Sequence, residues 1–190
     1  MAVRRIRNFF VVLTVLAAAV TALVVPSPAH AEGVNPTALH SAAGNEKCVG
    51  LADRGSTVVG TRLVLWDCHY HPDQLWHGVP GLGLVVSVAL DSRCVGLDGG
   101  GSTVNGTRLV LATCDNGRSD QKWEFYGLGD GTYLLRNSPT RRCVGLADRG
   151  STANGTELVL WDCHRNPDQR WAFPVSPQDF GFRAPVVGRI

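Results

Sequence analysis

The chain has 190 residues, 44% of them hydrophobic and 18% charged, with 22 glycines, 6 cysteines and a formal charge of +2. This is the composition of a globular chain of about one domain, and it excludes a disordered or collagen-like one. The positive excess lies in Arg4, Arg5 and Arg7; without them the remainder carries −1, so no basic surplus drives phosphate binding and no nucleic-acid partner is expected.

Those arginines open a segment that reads as a signal peptide over residues 1–31. A charge-free apolar run from Phe9 to Val25 follows, and Ala29-His30-Ala31 forms a small-x-small cleavage site before Glu32. A membrane anchor is the rival reading, since the run approaches the roughly 17 to 25 residues of a spanning helix. Pro26 and Pro28 and the cleavage site favour removal. Arg4-Arg5 makes a poor twin-arginine signal, because Arg7 and Asn8 interrupt the apolar stretch. The expected product is a secreted, extracellular monomer with no membrane anchor after cleavage. It is long enough to bury roughly 70% of its unfolded surface.

All six cysteines follow the cleavage site, which implies disulfides formed in an oxidising compartment. Cys48 and Cys68, Cys94 and Cys114, and Cys143 and Cys163 are each twenty positions apart. That regularity removes most of the ambiguity among the 15 possible pairings, and these three bridges are expected. The absence of any Cys-x-x-Cys argues against metal binding through thiolates.

The spacing belongs to a threefold repeat that starts at Cys48, Cys94 and Cys143, with periods of 46 and 49 residues. A unit this small cannot bury its own apolar face, so the three must share a core. Within each unit Cys-Val-Gly-Leu reads as a strand and Leu-Val-Leu as a second one, with turn residues between. Asn105-Gly106 and Asn154-Gly155 suit a tight hairpin with positive φ at both residues. Val59-Gly60 keeps only the glycine, so a different turn is expected in the first repeat. Leu84 to Leu90 and Thr132 to Arg136 are further β-like runs, and Thr37 to Ser41 is a weaker one. No segment after Glu32 has a helical period. Trp76, Trp123 and Trp171, each closing a Gln-x-Trp triplet, are expected in the core.

Three Gln-x-Trp triplets in register with three cysteine pairs make the chain resemble the ricin-B-type β-trefoil lectins, also found as carbohydrate-binding modules. The likeness covers about Thr37 to Phe173. It implies an all-β trefoil of twelve short strands, forming a six-stranded barrel with a hairpin cap. The domain is expected over residues 32–176, with a C-terminal tail of unknown role at 177–190.

The resemblance also implies where sugar would bind. Each repeat of the family holds a pocket with an Asp two places after the first cysteine, a Gln and an aromatic residue near the second cysteine, and an Asn before Gln-x-Trp. Here these positions hold Gly50, Gly96 and Gly145; Val64, Val110 and Val159; and Asp73, Asp120 and Asp168. A glycine cannot supply the charge-assisted hydrogen bonds of an aspartate, so galactose specificity of the usual kind is not implied. The trefoil has either lost sugar binding or rebuilt the pocket. For the second reading, Asp53 and Asp148 lie in a loop one residue longer than in many relatives and would return a carboxylate to the pocket. Trp66 and Trp161 stand at the aromatic position, where the middle repeat has Ala112. The candidate carbohydrate-binding residues are Trp66, Asp73, Gln74 and Asp53 in the first repeat, and Trp161, Asp168, Gln169 and Asp148 in the third.

No nucleophile elbow, zinc-protease motif or lone reactive cysteine is present, so a non-catalytic protein with no cofactor is expected. His69, His71, Asp67 and Asp73 crowd one loop, but it is polar, contains Pro72 and reads as exposed histidines rather than a metal site. Asn105-Gly106-Thr107 and Asn154-Gly155-Thr156 match both a glycosylation sequon and a turn. The functional expectation is a multivalent lectin, weak at each site. The alternatives are a trefoil protease inhibitor or protein-interaction module, and a scaffold without ligand.

Overall fold

The computed structural model describes residues 35–174, 176 and 179–180. The expected signal peptide lies outside the described residues, as does most of the tail. The first repeat contributes β1 (His40–Ser41), β2 (Lys47–Leu51), β3 (Leu63–Asp67) and β4 (Trp76–Val79). The second contributes β5 (Leu84–Ser87), β6 (Arg93–Leu97), β7 (Leu109–Thr113) and β8 (Trp123–Gly127). The third contributes β9 (Tyr133–Asn137), β10 (Cys143–Leu146), β11 (Leu158–Trp161) and β12 (Trp171–Ala172).

β4 with β5, β8 with β9, and β12 with β1 form three antiparallel pairs. A Thr37–Trp76 bridge, the Trp123 N–H to the Gly83 carbonyl and the Trp171–Tyr133 pair link these into a six-stranded ring. The hairpins β2–β3, β6–β7 and β10–β11 form the cap. This is a β-trefoil. The bridges join Cys48 to Cys68, Cys94 to Cys114 and Cys143 to Cys163, one in each repeat. Closing a loop of twenty residues stabilises by about 3 kcal/mol on the chain-entropy model.

The core is built three times over. Trp76, Trp123 and Trp171 are at most 2% exposed, and their indole N–H groups donate to the carbonyls of Val49, Val95 and Val144 at 3.1, 2.9 and 3.2 Å. Each ring therefore buries a large apolar area without stranding its one donor. Around them pack the leucines of the cap strands, Leu63 and Leu65, Leu109 and Leu111, and Leu158 and Leu160. Phe180 also belongs to this core: it is fully buried, meets Phe125 and Phe173 edge-on or tilted, and its carbonyl accepts the Gly78 N–H at 2.7 Å. Phe180, four residues beyond the boundary expected at residue 176, packs within this apolar cluster.

The cap hairpins engage head to tail. Gly60, Gly106 and Gly155 donate to the carbonyls of Leu111, Leu160 and Leu65, and those three leucines donate back to Thr61, Thr107 and Thr156, all at 2.8 Å. The turn in each repeat is the same four-residue turn, closed by Thr61, Thr107 and Thr156 onto Val58, Val104 and Ala153. Only its glycine has positive φ, at 92, 86 and 89°. That corrects two expectations. The Asn-Gly pairs do not form a turn with positive φ at both central residues, and Val59 does not change the turn, because only the third position requires glycine, as in type II turns.

Where the hairpins converge, Arg62, Arg108 and Glu157 occupy one repeat position. Glu157 accepts from Arg62 Nη1 at 2.7 Å and from Arg108 Nε at 2.5 Å. Partial burial alone would raise the Glu157 carboxyl, but the hydrogen bonds and charges of the two guanidinium groups outweigh it and hold the carboxyl below its ordinary value.

Two outcomes follow for stability. Trp123→Ala is expected to lower the unfolding free energy by about 3–5 kcal/mol in a denaturant titration. Glu157→Gln is expected to destabilise at pH 7. A depressed folded-state pKa adds stability above the unfolded value of about 4.3 and loses it as pH falls through the folded value. The gap between wild type and variant should therefore close in melts below about pH 4.

Candidate functional site

After β2 and again after β10 the chain reverses through a bend that places charged residues in an unfavourable conformation. Asp53 and Arg54 have φ of 54 and 60°, and Asp148 and Arg149 have 50 and 59°. The middle repeat makes the same bend with Gly99 and Gly100. A left-handed residue other than glycine costs roughly 1–2 kcal/mol, less for Asp. The first and third repeats thus hold a carboxylate and a guanidinium where glycine would sit without strain. Local strain of this kind clusters at ligand clamps and active sites.

The opposite wall comes from the short 3₁₀ turns Pro72–Gln74 and Pro167–Gln169. Asp73 lies against Gly55, where a Cβ would come within 2.9 Å of the Asp73 Cβ; Asp168 lies against Gly150 at the same distance. The His69 backbone meets Gln74, and its ring Nε2 stands 3.7 Å from Asp73 Oδ2; His164 and Asp168 repeat the contact at 3.6 Å. Trp66 and Trp161 close the clefts. Leu65 and Leu160 before them point into the core, and strand alternation turns the indoles outward, 44% and 46% exposed.

The structure thus brings Asp53, Trp66, Asp73 and Gln74 around one cleft of about 480 Å³, and Asp148, Trp161, Asp168 and Gln169 around another of about 500 Å³. Arg54, His69 and His71 line the first, and Arg149 and His164 the second. Sequence reasoning left these out of the site. The signal was present in the Trp-Asp-Cys-His and Asp-Arg strings shared by the first and third repeats.

Gln74 and Gln169, expected to contact sugar, have their amides bonded to the backbone of the neighbouring loop. Both are fully buried. The Gln74 carbonyl accepts the N–H groups of His69 and Tyr70 at 2.8 and 3.2 Å, and its amide donates to the Asp67 carbonyl at 2.9 Å. Gln169 makes the matching bonds to His164 and Asp162, and Gln121 does so in the middle repeat. These amides pin the loop after each second cysteine. A Cβ at Gly50 or Gly145 would stand 3.0 or 2.9 Å from the Cγ of these glutamines.

The middle repeat departs from this arrangement. Its aromatic position holds Ala112, whose Cβ would lie 3.2 Å from a Cβ on Gly96. Asp120 is nearly buried and is held by Arg118 Nε at 2.9 Å, so its carboxylate is already neutralised.

His69, His71 and Asp73 bring three potential ligand atoms within 4.8 Å. The His71 N–H donates to His69 Nδ1 at 3.3 Å, and the Asn166 N–H does the same to His164. In the neutral form of the accepting ring that bond leaves the proton on Nε2, facing the aspartate, so the His69 lone pair is already engaged by the loop backbone. The arrangement suits orienting a carboxylate.

Relieving the strain gives a test of this geometry. Arg54→Gly and Arg149→Gly are each expected to stabilise, by up to about 1 kcal/mol after the unfolded-state entropy of glycine is set against the relief. Thermal melts should show a rise of a few degrees for each.

Residues 35–178 match the family model described as the ricin-type β-trefoil lectin domain. No curated protein matches the sequence. Among solved structures, the designed threefold-symmetric protein ThreeFoil matches with a TM-score of 0.66 at 20% identity, over 73% of this chain and 96% of its own. The Macrolepiota procera ricin B-like lectin, solved in complex with lactose, matches with a TM-score of 0.61 at 18% identity, over 74% and 95%. An exo-β-1,3-galactanase from Clostridium thermocellum matches with a TM-score of 0.64 at 24% identity; 74% of this chain is covered, but only 30% of the enzyme. At such identities the structures share the fold. The family match spans most of the chain: this protein belongs to the ricin-type β-trefoil lectin family.

Proposed function

We propose that the protein is a secreted, non-catalytic lectin that binds carbohydrate at two sites, the Trp66 and Trp161 clefts, with the middle repeat silent. The observation that carries this reading is the pairing of an outward indole with a strained Asp-Arg bend in the first and third repeats alone. An indole supplies an apolar face for a pyranose ring. Asp53 and Asp73, or Asp148 and Asp168, accept hydrogen bonds from its hydroxyls, and Arg54 or Arg149 donates to them. Lectins of the same fold solved in complex with lactose and with GalNAc support the ligand class. Gly50 and Gly145 in place of the family's aspartate point away from the usual galactose contacts.

Each cleft is open, so affinity per site is low. A millimolar site represents only about 4 kcal/mol, and an indole face contributes on the order of 1 kcal/mol, by analogy with aromatic pairs. Two clefts on one rigid barrel raise avidity for a polymer by roughly 10² to 10⁴ where spacing permits.

A glycan array identifies the sugar, and calorimetry with a soluble monovalent hit is expected to give a stoichiometry near two. Trp66→Ala and Trp161→Ala should each reduce it to near one, and the double variant should not bind while keeping its near-ultraviolet circular dichroism. Array silence, or undiminished binding by the folded double variant, would refute the assignment.

A further inference from the structure

We infer that each cleft is completed by the neighbouring repeat: the Asn154-Gly155 turn of the third repeat positions Trp66, and the Asn105-Gly106 turn of the second positions Trp161. Only the ligand-binding arm of the test below rests on the lectin reading.

Asp67 follows Trp66 directly, and its backbone N–H donates to Asn154 Oδ1 at 3.0 Å. Asn154 Nδ2 donates back to Asp67 Oδ2 at 2.7 Å, and Lys47 Nζ reaches both Asn154 Oδ1 and Asp67 Oδ1, at 2.8 and 2.6 Å. The peptide that carries the indole is thus held from across the repeat boundary. The indole edge lies beside the same turn, 3.8 Å from where a Cβ on Gly155 would be. In the other cleft Asn105 Nδ2 donates to Asp162 Oδ2 at 2.8 Å, Arg142 Nε reaches Asp162 Oδ1 at 3.0 Å, and the Trp161 edge lies 3.7 Å from a Cβ on Gly106. Asn105 Oδ1 is buried without a hydrogen-bond partner, so this positioning contact is the weaker of the two.

The third junction serves as an internal control. There the turn carries Val59 and faces Thr113, so neither the amide nor the carboxylate is present. The backbone seam nevertheless closes with the same pair of 2.8 Å bonds, between Gly60 and Leu111 and between Leu111 and Thr61. Trefoil closure therefore does not require the Asn–Asp contact. The contact occurs at the two junctions that carry an outward tryptophan and is missing at the one that carries Ala112. Its distribution does not follow similarity between repeats: the first repeat, close to the third in sequence, lacks the asparagine, while the second repeat, whose own cleft is silent, has it. It follows the geometry of the clefts.

Asn154→Val and Asn105→Val copy a junction that already closes, so both variants are expected to fold. Fluorine NMR of protein labelled with 5-fluorotryptophan, assigned through single Trp→Phe variants, reads each ring without ligand. Asn154→Val is expected to raise the mobility of the Trp66 ring at least twofold and to leave Trp161 unchanged. Asn105→Val should do the reverse, by a smaller factor, and Val59→Ala should alter neither ring. With lactose as the probe, Asn154→Val should weaken the site read at Trp66 at least tenfold while the site read at Trp161 keeps its Kd. Unaltered Trp66 mobility in Asn154→Val, or equal loosening of both rings, would overturn the inference. If lactose moves neither resonance in the wild type, the lectin reading fails for that sugar, and ring mobility still decides the positioning role.

Discussion

No single repeat of this chain can enclose an indole, and that constraint shapes the rest of the molecule. Trp76, Trp123 and Trp171 are buried only because leucines from all three units surround them, so a unit is stable only in the company of the other two. Each indole N–H is satisfied by a carbonyl of its own repeat, which fixes the ring's orientation as well as its depth. The preceding glutamine fastens the loop beside it with both ends of its amide. Gln-x-Trp is therefore a structural module, with one residue holding the loop and the other filling the core.

The core and the loop anchors are threefold, and the symmetry breaks at the rim. The second repeat follows the stable choice at each rim position: Gly99-Gly100 in the bend, Ala112 on the strand, and Asp120 neutralised by Arg118. The first and third repeats depart from it with left-handed Asp-Arg pairs and outward indoles. A scaffold stabilised by three disulfides and a shared core tolerates about 1–2 kcal/mol of strain at the left-handed arginine of each bend. The middle repeat shows how the same bend is built without it.

Much of the scaffold was legible in the sequence because it rests on periodic signals: cysteines twenty apart, Gln-x-Trp in register, and short β-rich runs. The cysteine pairing and the core tryptophans follow from these, and the twelve strands from the family resemblance that they carry. Features set by turn type and by where side chains meet in space were not legible. The burial of Phe180 depends on its contacts with Phe125 and the Gly78 backbone, far from it in the chain, not on any pattern in the tail. The φ of Asn105 and Asn154 depends on a turn that needs glycine at one position only. The fully bonded state of Gln74 depends on where His69, Tyr70 and Asp67 fall in space. The clefts were half legible: the outward tryptophans and paired aspartates stand out against Ala112, but the arginines and histidines beside them acquire meaning only once the bends face the 3₁₀ turns.

The Asn-Gly-Thr strings show how far a local motif can mislead and then be resolved. Read in isolation they fit a glycosylation acceptor and a hairpin turn equally well. In the fold, the amide nitrogen that would carry a glycan faces a carboxylate of the next repeat, at 2.7 Å for Asn154 and 2.8 Å for Asn105. A glycan attached there would have to displace that contact at the seam between two repeats. The asparagine is therefore accounted for by the junction, and the threonine of the same string by closing the turn and accepting from the facing leucine. The first repeat keeps Gly60 and Thr61, which the seam requires, and replaces the asparagine by Val59, which the seam does not. That separation assigns Gly-Thr to the fold and the asparagine to the surface it helps to hold in place.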